Sequence, residues 1–287
     1  MKNILLIGGA GYVGSVITSQ FLKKGYKITV LDNFVYDNQF TVAPYIGDPN
    51  YKIVNGDMGN SKFLDIVSKD ITDVIILSGL VGDPITKKYP LQSEQINDVS
   101  VKKCIDYFNC KGIDKLIFIS TCSNYGLIKD DELADENFEL TPLSLYAKAK
   151  VSNERYLISK KKNVDYTGVV LRFATAFGLS PRMRFDLSIS EFVKDMFNGK
   201  ELEVYDEHTW RPYCHVRDFA RLLDIVLNSK KEKVYFEVFN AGGDINNSTK
   251  KMLIDEIMSH LPDSNVIYSE NGNDPRNYKV SFKKVKE

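Results

Sequence analysis

Short apolar runs alternate with longer amphipathic stretches along the first 175 residues. The apolar runs have the length and bounding residues of buried strands, and they cover residues 2–7, 28–32, 51–55, 73–77, 116–120 and 166–172. The amphipathic stretches are typical of helices, and they cover residues 15–24, 61–69, 91–110 and 144–162. Strands that alternate with helices in this way predict an α/β fold with a doubly wound parallel sheet.

The pattern changes after residue 177, where the predicted elements become smaller and arginines cluster. We predict a basic loop at 178–184, helices at 186–198 and 216–228, short strands at 202–205 and 236–240, and an irregular aromatic stretch at 208–213. This region is interpreted as a smaller α/β substrate-binding lobe. The predicted division is residues 1–175 and residues 176–287, with some strands of the second part returning to the main sheet.

A glycine turn follows the first apolar run. Gly8 permits the tight turn, Gly11 allows a pyrophosphate to approach the backbone, and Gly14 allows the following helix to pack closely on the strand. The second apolar run ends in Asp32. Its spacing along the chain from the glycine turn is close to that at which dinucleotide-binding units carry an acid for the ribose 2′-hydroxyl. The segment therefore predicts a dinucleotide-binding Rossmann unit, and the carboxylate favours NAD over NADP.

Polar residues stand at or just after the ends of the predicted strands. Because ligands of parallel sheets bind beyond the carboxyl ends of the strands, we expect these residues to meet in one crevice. They are Gly8, Asp32, Asp57, Ser78, Thr121 and Arg172.

Composition excludes several classes of protein. Lys plus Arg and Asp plus Glu number 38 each, so no basic excess indicates nucleic acid. No apolar stretch reaches the roughly 18 residues of a membrane span, and the first strand begins too early for a signal peptide. The four cysteines have no metal-ligand spacing. We expect reduced thiols, a cytoplasmic location, no metal and no membrane partner.

Tyr146 and Lys150 are four residues apart in a predicted helix, so they share one face. A nearby ammonium lowers the pKa of a phenol, which lets a tyrosine accept a hydroxyl proton near neutral pH. Thr121, at a strand end, is placed to hydrogen-bond the same substrate oxygen. These residues predict the oxidation of a hydroxyl group, with hydride passing to NAD.

Together these motifs resemble the extended short-chain dehydrogenase/reductase family, in its nucleotide-sugar epimerase and dehydratase branch. The resemblance implies Thr121, Tyr146 and Lys150 as catalytic residues. It implies a cofactor site formed by Gly8, Gly11, Tyr12, Val13, Gly14, Asp32, Asn33, Asp57, Met58, Ser78, Gly79, Leu80, Asn97, Tyr146 and Lys150. It implies a nucleotide-diphosphate sugar as the substrate, with contacts from Cys122, Ser123, Arg182, Arg184, Arg211 and Arg276. A homodimer is expected, because the family pairs the helices that correspond to 91–110 and 144–162.

Departures from the family pattern narrow the expected reaction. Cys122 and Ser123 stand where the sugar 4,6-dehydratases carry an Asp-Glu pair, and the uronate decarboxylases have a glutamate at the position of Ser123. Neither elimination nor decarboxylation is therefore expected. The cysteine of some sugar epimerases also matches Ser123, so Cys122 is interpreted mainly as a small buried thiol. Val81 replaces a lysine that some 4-epimerases place near the cofactor phosphates.

Two redox outcomes stay open. If the oxidised sugar turns over in the site and hydride returns to its other face, the protein is a nucleotide-sugar 4-epimerase, which is the preferred hypothesis. If the ketone leaves, the protein is a 4-dehydrogenase or ketoreductase of bacterial surface-polysaccharide biosynthesis. A non-catalytic dinucleotide sensor is the distant alternative.

Overall fold

The computed structural model describes residues 2–129, 132–272 and 276–287. Within them the largest sheet has seven strands in the order β10-β6-β5-β4-β1-β2-β3, and every neighbouring pair is parallel. This is the predicted doubly wound arrangement. The strands of the structure are β1 Asn3–Ile7, β2 Lys27–Asp32, β3 Tyr51–Asn55, β4 Asp73–Ile76, β5 Lys115–Thr121, β6 Thr167–Phe173, β7 Thr175–Phe177, β8 Leu202–Tyr205, β9 Trp210–His215, β10 Glu237–Ala241, β11 Asn247–Thr249 and β12 Val266–Ser269.

Helices connect these strands and cover the main sheet. They are α1 Tyr12–Lys23, α2 Ser61–Val67, α3 Asp83–Lys88, α4 Pro90–Glu94, α5 Ser100–Tyr107, α6 Leu145–Ser159, α7 Ser188–Phe197, α8 Val216–Asn228, α9 Lys231–Val234, α10 Lys250–His260 and α11 Lys283–Lys286. None of the helices in the described ranges is both long enough and apolar enough to cross a membrane.

The strand β1 explains why the first apolar run is continuous. Successive side chains of a strand point to opposite faces of the sheet. Ile4 and Leu6 pack in one hydrophobic cluster, whereas Leu5 and Ile7 pack in the other. Because helices cover both faces, each of these positions must be apolar.

The predicted single helix over residues 91–110 is interrupted in the structure. Helix α4 is followed by a turn of π-helix, Gln95–Val99, and then by α5. Within the π-helical turn, Asn97 accepts a hydrogen bond of 2.8 Å from the backbone N–H of Leu80. Apolar periodicity predicts the extent of the helical segment but not this local change of winding, which brings Asn97 against a distant loop.

Two smaller sheets lie in the second part of the chain. The aromatic stretch that we predicted to be irregular forms strand β9, which pairs with β7 in parallel and with β11 in antiparallel orientation. Its partners are distant in sequence, so local composition did not indicate a strand. Strands β8 and β12 form the other small sheet, while β10 joins the main sheet beside β6.

Candidate active site

A cavity at the carboxyl ends of β1 to β4 gathers most of the predicted cofactor residues. Its lining includes eight of them, from four separate loops: Gly8, Asp32, Asn33, Asp57, Met58, Ser78, Gly79 and Leu80. The remaining lining residues are apolar or small and carried no signal of their own: Ile7, Leu31, Val35, Gly56 and Ile96. Adjacent strand ends in a parallel sheet bring these loops together.

The glycine turn between β1 and α1 fits a dinucleotide. Gly8 has φ +86°, and a Cβ there would lie 2.7 Å from the backbone nitrogen of Ser78. A Cβ at Gly14 would lie 2.5 Å from the carbonyl oxygen of Gly8. Gly11 is less crowded, since a Cβ would meet only the Gly8 carbonyl at 3.4 Å. Gly8 and Gly14 therefore allow close packing, and Gly11 is the N-cap of α1, where it offers no side chain to bind the N–H groups of the first turn.

Asp32 lies at the end of β2 as a prepared acceptor. Its two carboxylate oxygens accept hydrogen bonds from the backbone N–H groups of Ala10, at 3.0 Å, and Phe34, at 2.9 Å. Burial raises the pKa of this carboxyl group, and the two N–H donors lower it in part. The carboxylate is thus held beside the glycine turn, as a ribose ligand requires.

Asn97 contacts the loop that lines the predicted cofactor cavity. Its side-chain amide contacts both the N–H and the C=O of Leu80, at 2.8 and 2.9 Å. A Cβ at Gly79 would meet the Asn97 amide oxygen at 2.8 Å. The structure shows that the Asn97 amide holds the 78–80 loop, which lines the cavity, while its contact with the cofactor stays a prediction.

Lys150 and Tyr146 share one face of α6, as their spacing predicted. The Nζ atom of Lys150 lies 5.6 Å from the centre of the Tyr146 ring and donates a 2.7 Å hydrogen bond to the carbonyl oxygen of Ile119. Lys150 is buried, and burial lowers its pKa to about 8, while the Glu154 carboxylate raises it. The ammonium group is therefore fixed between the tyrosine and the end of β5.

Thr121 ends the same strand β5. Its hydroxyl oxygen accepts a 3.1 Å hydrogen bond from the backbone N–H of Ser123. This hydrogen bond caps the helical turn Cys122–Tyr125. The hydroxyl hydrogen is left to donate elsewhere. Strand β5 thus supplies Thr121 and, through Ile119, the anchor of Lys150.

Arg172 does not join the predicted crevice. Its guanidinium group binds both carboxylate oxygens of Glu154, with the closest contact at 2.8 Å, and also donates to the Tyr125 hydroxyl at 2.9 Å. Ser120 donates to the same carboxylate. Both charged residues are buried. The end of β6 therefore carries an internal ion pair, and the expectation that Arg172 faces the ligand is wrong.

Cys122 is likewise directed into the core. It is 1% exposed, and its thiol donates to the carbonyl oxygen of Arg172 at 3.1 Å. Burial raises its pKa well above the ordinary value. This agrees with its interpretation as a small buried thiol and removes it from the expected substrate contacts.

Ser123 is linked through Tyr278 to two of the arginines that were predicted to bind the substrate. Its hydroxyl lies 3.2 Å from that of Tyr278, whose ring lies 5.1 Å from the Arg211 guanidinium carbon. Arg211 also donates to the backbone carbonyl of Arg276. The structure therefore brings Ser123, Arg211 and Arg276 together. Tyr278 was missed, because a buried tyrosine near the end of the chain has no local signature.

Arg182 and Arg184 belong to the loop before α7, whose first residues contact Tyr12 at the start of α1. The guanidinium carbon of Arg182 lies 4.5 Å from the centre of the Tyr36 ring. Arg184 forms two hydrogen bonds to Asp186, at 2.7 and 2.5 Å. Burial lowers the pKa of Arg184, but Asp186, Tyr36 and Tyr146 outweigh it and raise the value. Asp186 therefore holds the Arg184 guanidinium group.

Comparison with known proteins identifies similar chains. Residues 4–242 match the model of the NAD dependent epimerase/dehydratase family. The chain is 26% identical over 293 residues to the low-salt glycan biosynthesis protein Agl12 of Haloferax volcanii, covering 99% of this chain and 91% of that protein. It is 27% identical over 237 residues to a putative UDP-glucose 4-epimerase of Methanocaldococcus jannaschii, covering 80% and 75% of the two chains. Among solved structures, dTDP-glucose 4,6-dehydratase of Bacillus anthracis in complex with NAD aligns with a TM-score of 0.86 at 26% identity, covering 100% of this chain and 89% of that one.

Proposed function

The chain belongs to the NAD-dependent epimerase/dehydratase family and uses NAD; from this premise we propose that it is a nucleotide-sugar 4-epimerase. The observation that carries the proposal is the fixed arrangement of Tyr146, Lys150 and Thr121 at the end of β5. Bound NAD supplies the chemistry of accepting a hydride from a sugar carbon and returning it. The protein must supply a base for the sugar hydroxyl.

Tyr146 is the proposed base. Its phenolate accepts the proton of the sugar hydroxyl, and the buried Lys150 ammonium, 5.6 Å from the ring centre, stabilises the negative charge. Lys150 is held in place by the carbonyl of Ile119. Thr121 donates its hydroxyl hydrogen to the same sugar oxygen. The reverse proton transfer, from Tyr146 to the oxygen, completes an epimerisation without a further acid or base.

Ser123 supports redox chemistry over elimination. Loss of water from the sugar needs an acid and a base beyond the tyrosine, and decarboxylation in related enzymes uses a glutamate at this position. Here the position carries a hydroxyl that pairs with Tyr278 at 3.2 Å. Cys122, the neighbouring residue, has its thiol against the Arg172 carbonyl.

The proposed substrate is a nucleoside diphosphate sugar. Arg211 and Arg276 are joined through the Arg276 carbonyl, and two guanidinium groups suit a diphosphate. In this proposal residues 1–175 bind NAD and residues 176–287 supply the substrate arginines. The similarity to a putative UDP-glucose 4-epimerase makes UDP-sugars the first to test.

A panel experiment tests the reaction. The protein is incubated with UDP-, GDP-, CDP- and dTDP-sugars, products are separated by chromatography and mass spectrometry, and absorbance at the NADH wavelength is followed. A product of unchanged mass and inverted configuration at carbon 4 supports the epimerase. Accumulated NADH with a ketone product would instead establish a dehydrogenase. Loss of water or of carbon dioxide would contradict both.

We also propose a homodimer formed by the α4–α5 and α6 segments. Leu91, at the start of this helical segment, is 77% exposed, and Leu145, at the start of α6, is 46% exposed. Exposed leucines on both segments suit an apolar contact between copies. Light scattering after gel filtration tests it: the wild type should have twice the mass of one chain, and the Leu91→Glu, Leu145→Glu double variant should have the mass of one chain.

A further inference from the structure

The loop before α7 is hydrogen-bonded to the start of α1, directly after the glycine turn. The Tyr12 hydroxyl donates to the carbonyl oxygen of Gly178 at 2.6 Å, and the Ser180 hydroxyl donates to the carbonyl oxygen of Tyr12 at 2.7 Å. The Ser15 and Ser180 hydroxyls are 3.1 Å apart. Tyr12 and Ser15 belong to the first turn of α1, the turn that faces a dinucleotide diphosphate. The loop that carries Arg182 and Arg184 therefore passes next to the first turn of α1, on the side of the crevice that is predicted to hold the cofactor.

Within this loop, Arg182 lies near the part of the crevice where the adenosine of the cofactor is predicted to bind. Its guanidinium group stacks on Tyr36, whose hydroxyl accepts a hydrogen bond of 3.4 Å from the backbone N–H of Val81. Tyr36 thus connects the loop after β2 with the loop after β4. Asp32 is near enough to raise the pKa of Arg182, although burial and Arg184 lower it overall. Arg182 is thus a partly buried cation on the ring of Tyr36, which follows Asp32 by four residues along the chain.

Arg182 follows two positions after Ser180, whose hydroxyl contacts the first turn of α1. The diphosphate of a dinucleotide lies between its adenosine ribose and its nicotinamide half. The loop thus carries Arg182 from the first turn of α1 to the Tyr36 ring, beside the loops that follow β2 and β4. Moreover, the cavity at the strand ends is lined by Asp32 and Asp57 but by no lysine or arginine among the described residues. A cation that assists the N–H groups of α1 in binding a diphosphate would therefore come from outside this lining.

We propose that Arg182, stacked on Tyr36, binds the diphosphate of NAD and closes the substrate-lobe loop over the cofactor. This differs from its expected role as a substrate ligand. It depends on the nicotinamide cofactor and not on which sugar reacts. A strap of this kind slows the release of NAD, which suits an enzyme in which hydride returns to the same product molecule.

Titration of NAD tests the proposal without any substrate. Isothermal titration calorimetry compares nucleotide-free wild type with Arg182→Gln and with Arg221→Gln, a control arginine that is 75% exposed on α8. We expect the NAD dissociation constant to rise about tenfold or more in Arg182→Gln, because a charge-assisted contact to phosphate is lost, and to stay unchanged in Arg221→Gln. Thermal melts of the unliganded proteins confirm that both variants are folded.

A double-variant cycle tests the stacking. Tyr36→Ala should weaken NAD binding, and adding Arg182→Gln should weaken it further by much less than in the wild-type background, since Arg182 acts from the Tyr36 ring. If Arg182→Gln leaves NAD binding at the wild-type value and instead raises the KM of the nucleotide sugar, Arg182 is a substrate residue and the proposal is wrong. If neither changes, the proposal is equally overturned.

Discussion

The Nζ atom of Lys150 donates a hydrogen bond of 2.7 Å to the carbonyl oxygen of Ile119. This contact joins α6 to β5 two residues before Thr121. The helix alone places Lys150 near Tyr146, whereas the contact with the strand sets Lys150 beside the end of β5, where Thr121 lies. The three residues that we propose as catalytic therefore come from two elements that this hydrogen bond joins.

Tyr146→Phe should abolish turnover and preserve NAD binding. Removal of the proposed base costs about 10²- to 10⁴-fold in kcat, whereas the ring and its contact with Lys150 remain. Steady-state kinetics with an active nucleotide sugar measures the loss, and calorimetry measures the NAD affinity. Tyr156→Phe is the matched control on the same helix, since its hydroxyl contacts Asp106 at an exposed site. Full activity of Tyr146→Phe would refute the mechanism.

The activity should fall as the pH rises through about 8. Burial lowers the pKa of Lys150 to about 8, so the side chain is charged below this pH and neutral above it, where it no longer stabilises the Tyr146 phenolate. The pH profile of kcat/KM measures this group in the free enzyme. Glu154 raises the pKa of Lys150. Glu154→Gln should therefore move the alkaline limb to lower pH, and the exposed control Glu256→Gln should not. An unshifted alkaline limb in Glu154→Gln would show that Glu154 does not raise the pKa of the group that limits activity.

Arg172→Met should destabilise the fold by about 3–5 kcal/mol. It leaves the Glu154 carboxylate buried without its ionic partner. Urea denaturation measures the free energy of unfolding. The double variant Arg172→Met, Glu154→Leu should lose less than the sum of the single variants, because both charges are then gone. Arg221→Met, at an exposed position, should change stability by no more than about 0.5 kcal/mol. Additive losses in the double variant would show that the two residues are not coupled.

Gly8→Ala should impair NAD binding, whereas Gly25→Ala should not. Both glycines have positive φ, +86° and +79°, so each alanine costs about 1–2 kcal/mol of backbone strain. A Cβ at Gly8 also lies 2.7 Å from the Ser78 backbone nitrogen, while nothing lies within 4 Å of one at Gly25. The cavity wall at Ser78 must then shift. Calorimetry with NAD and thermal unfolding measure the two effects, and equal NAD affinity in both variants would contradict the prediction.

Local spacing along the chain was enough to predict several features of the fold. The strand–glycine–helix–strand order predicted the parallel sheet, since a βαβ unit is built from consecutive elements. The four-residue interval between Tyr146 and Lys150 predicted their common helix face. Strand ends predicted Asp32, Asp57 and Ser78 at one cavity, because parallel strands end at the same edge.

The directions of side chains whose partners are distant in the chain became clear from the folded structure alone. Arg172 was expected in the crevice, but Glu154 of α6 attracts it into the core. The Asn97 amide binds the backbone of Leu80, a contact that the sequence did not indicate. Arg182 stacks on Tyr36, which its place in a basic loop did not indicate either. Each direction depends on packing between segments that no local pattern relates, because burial and charge pairing are properties of the assembled fold.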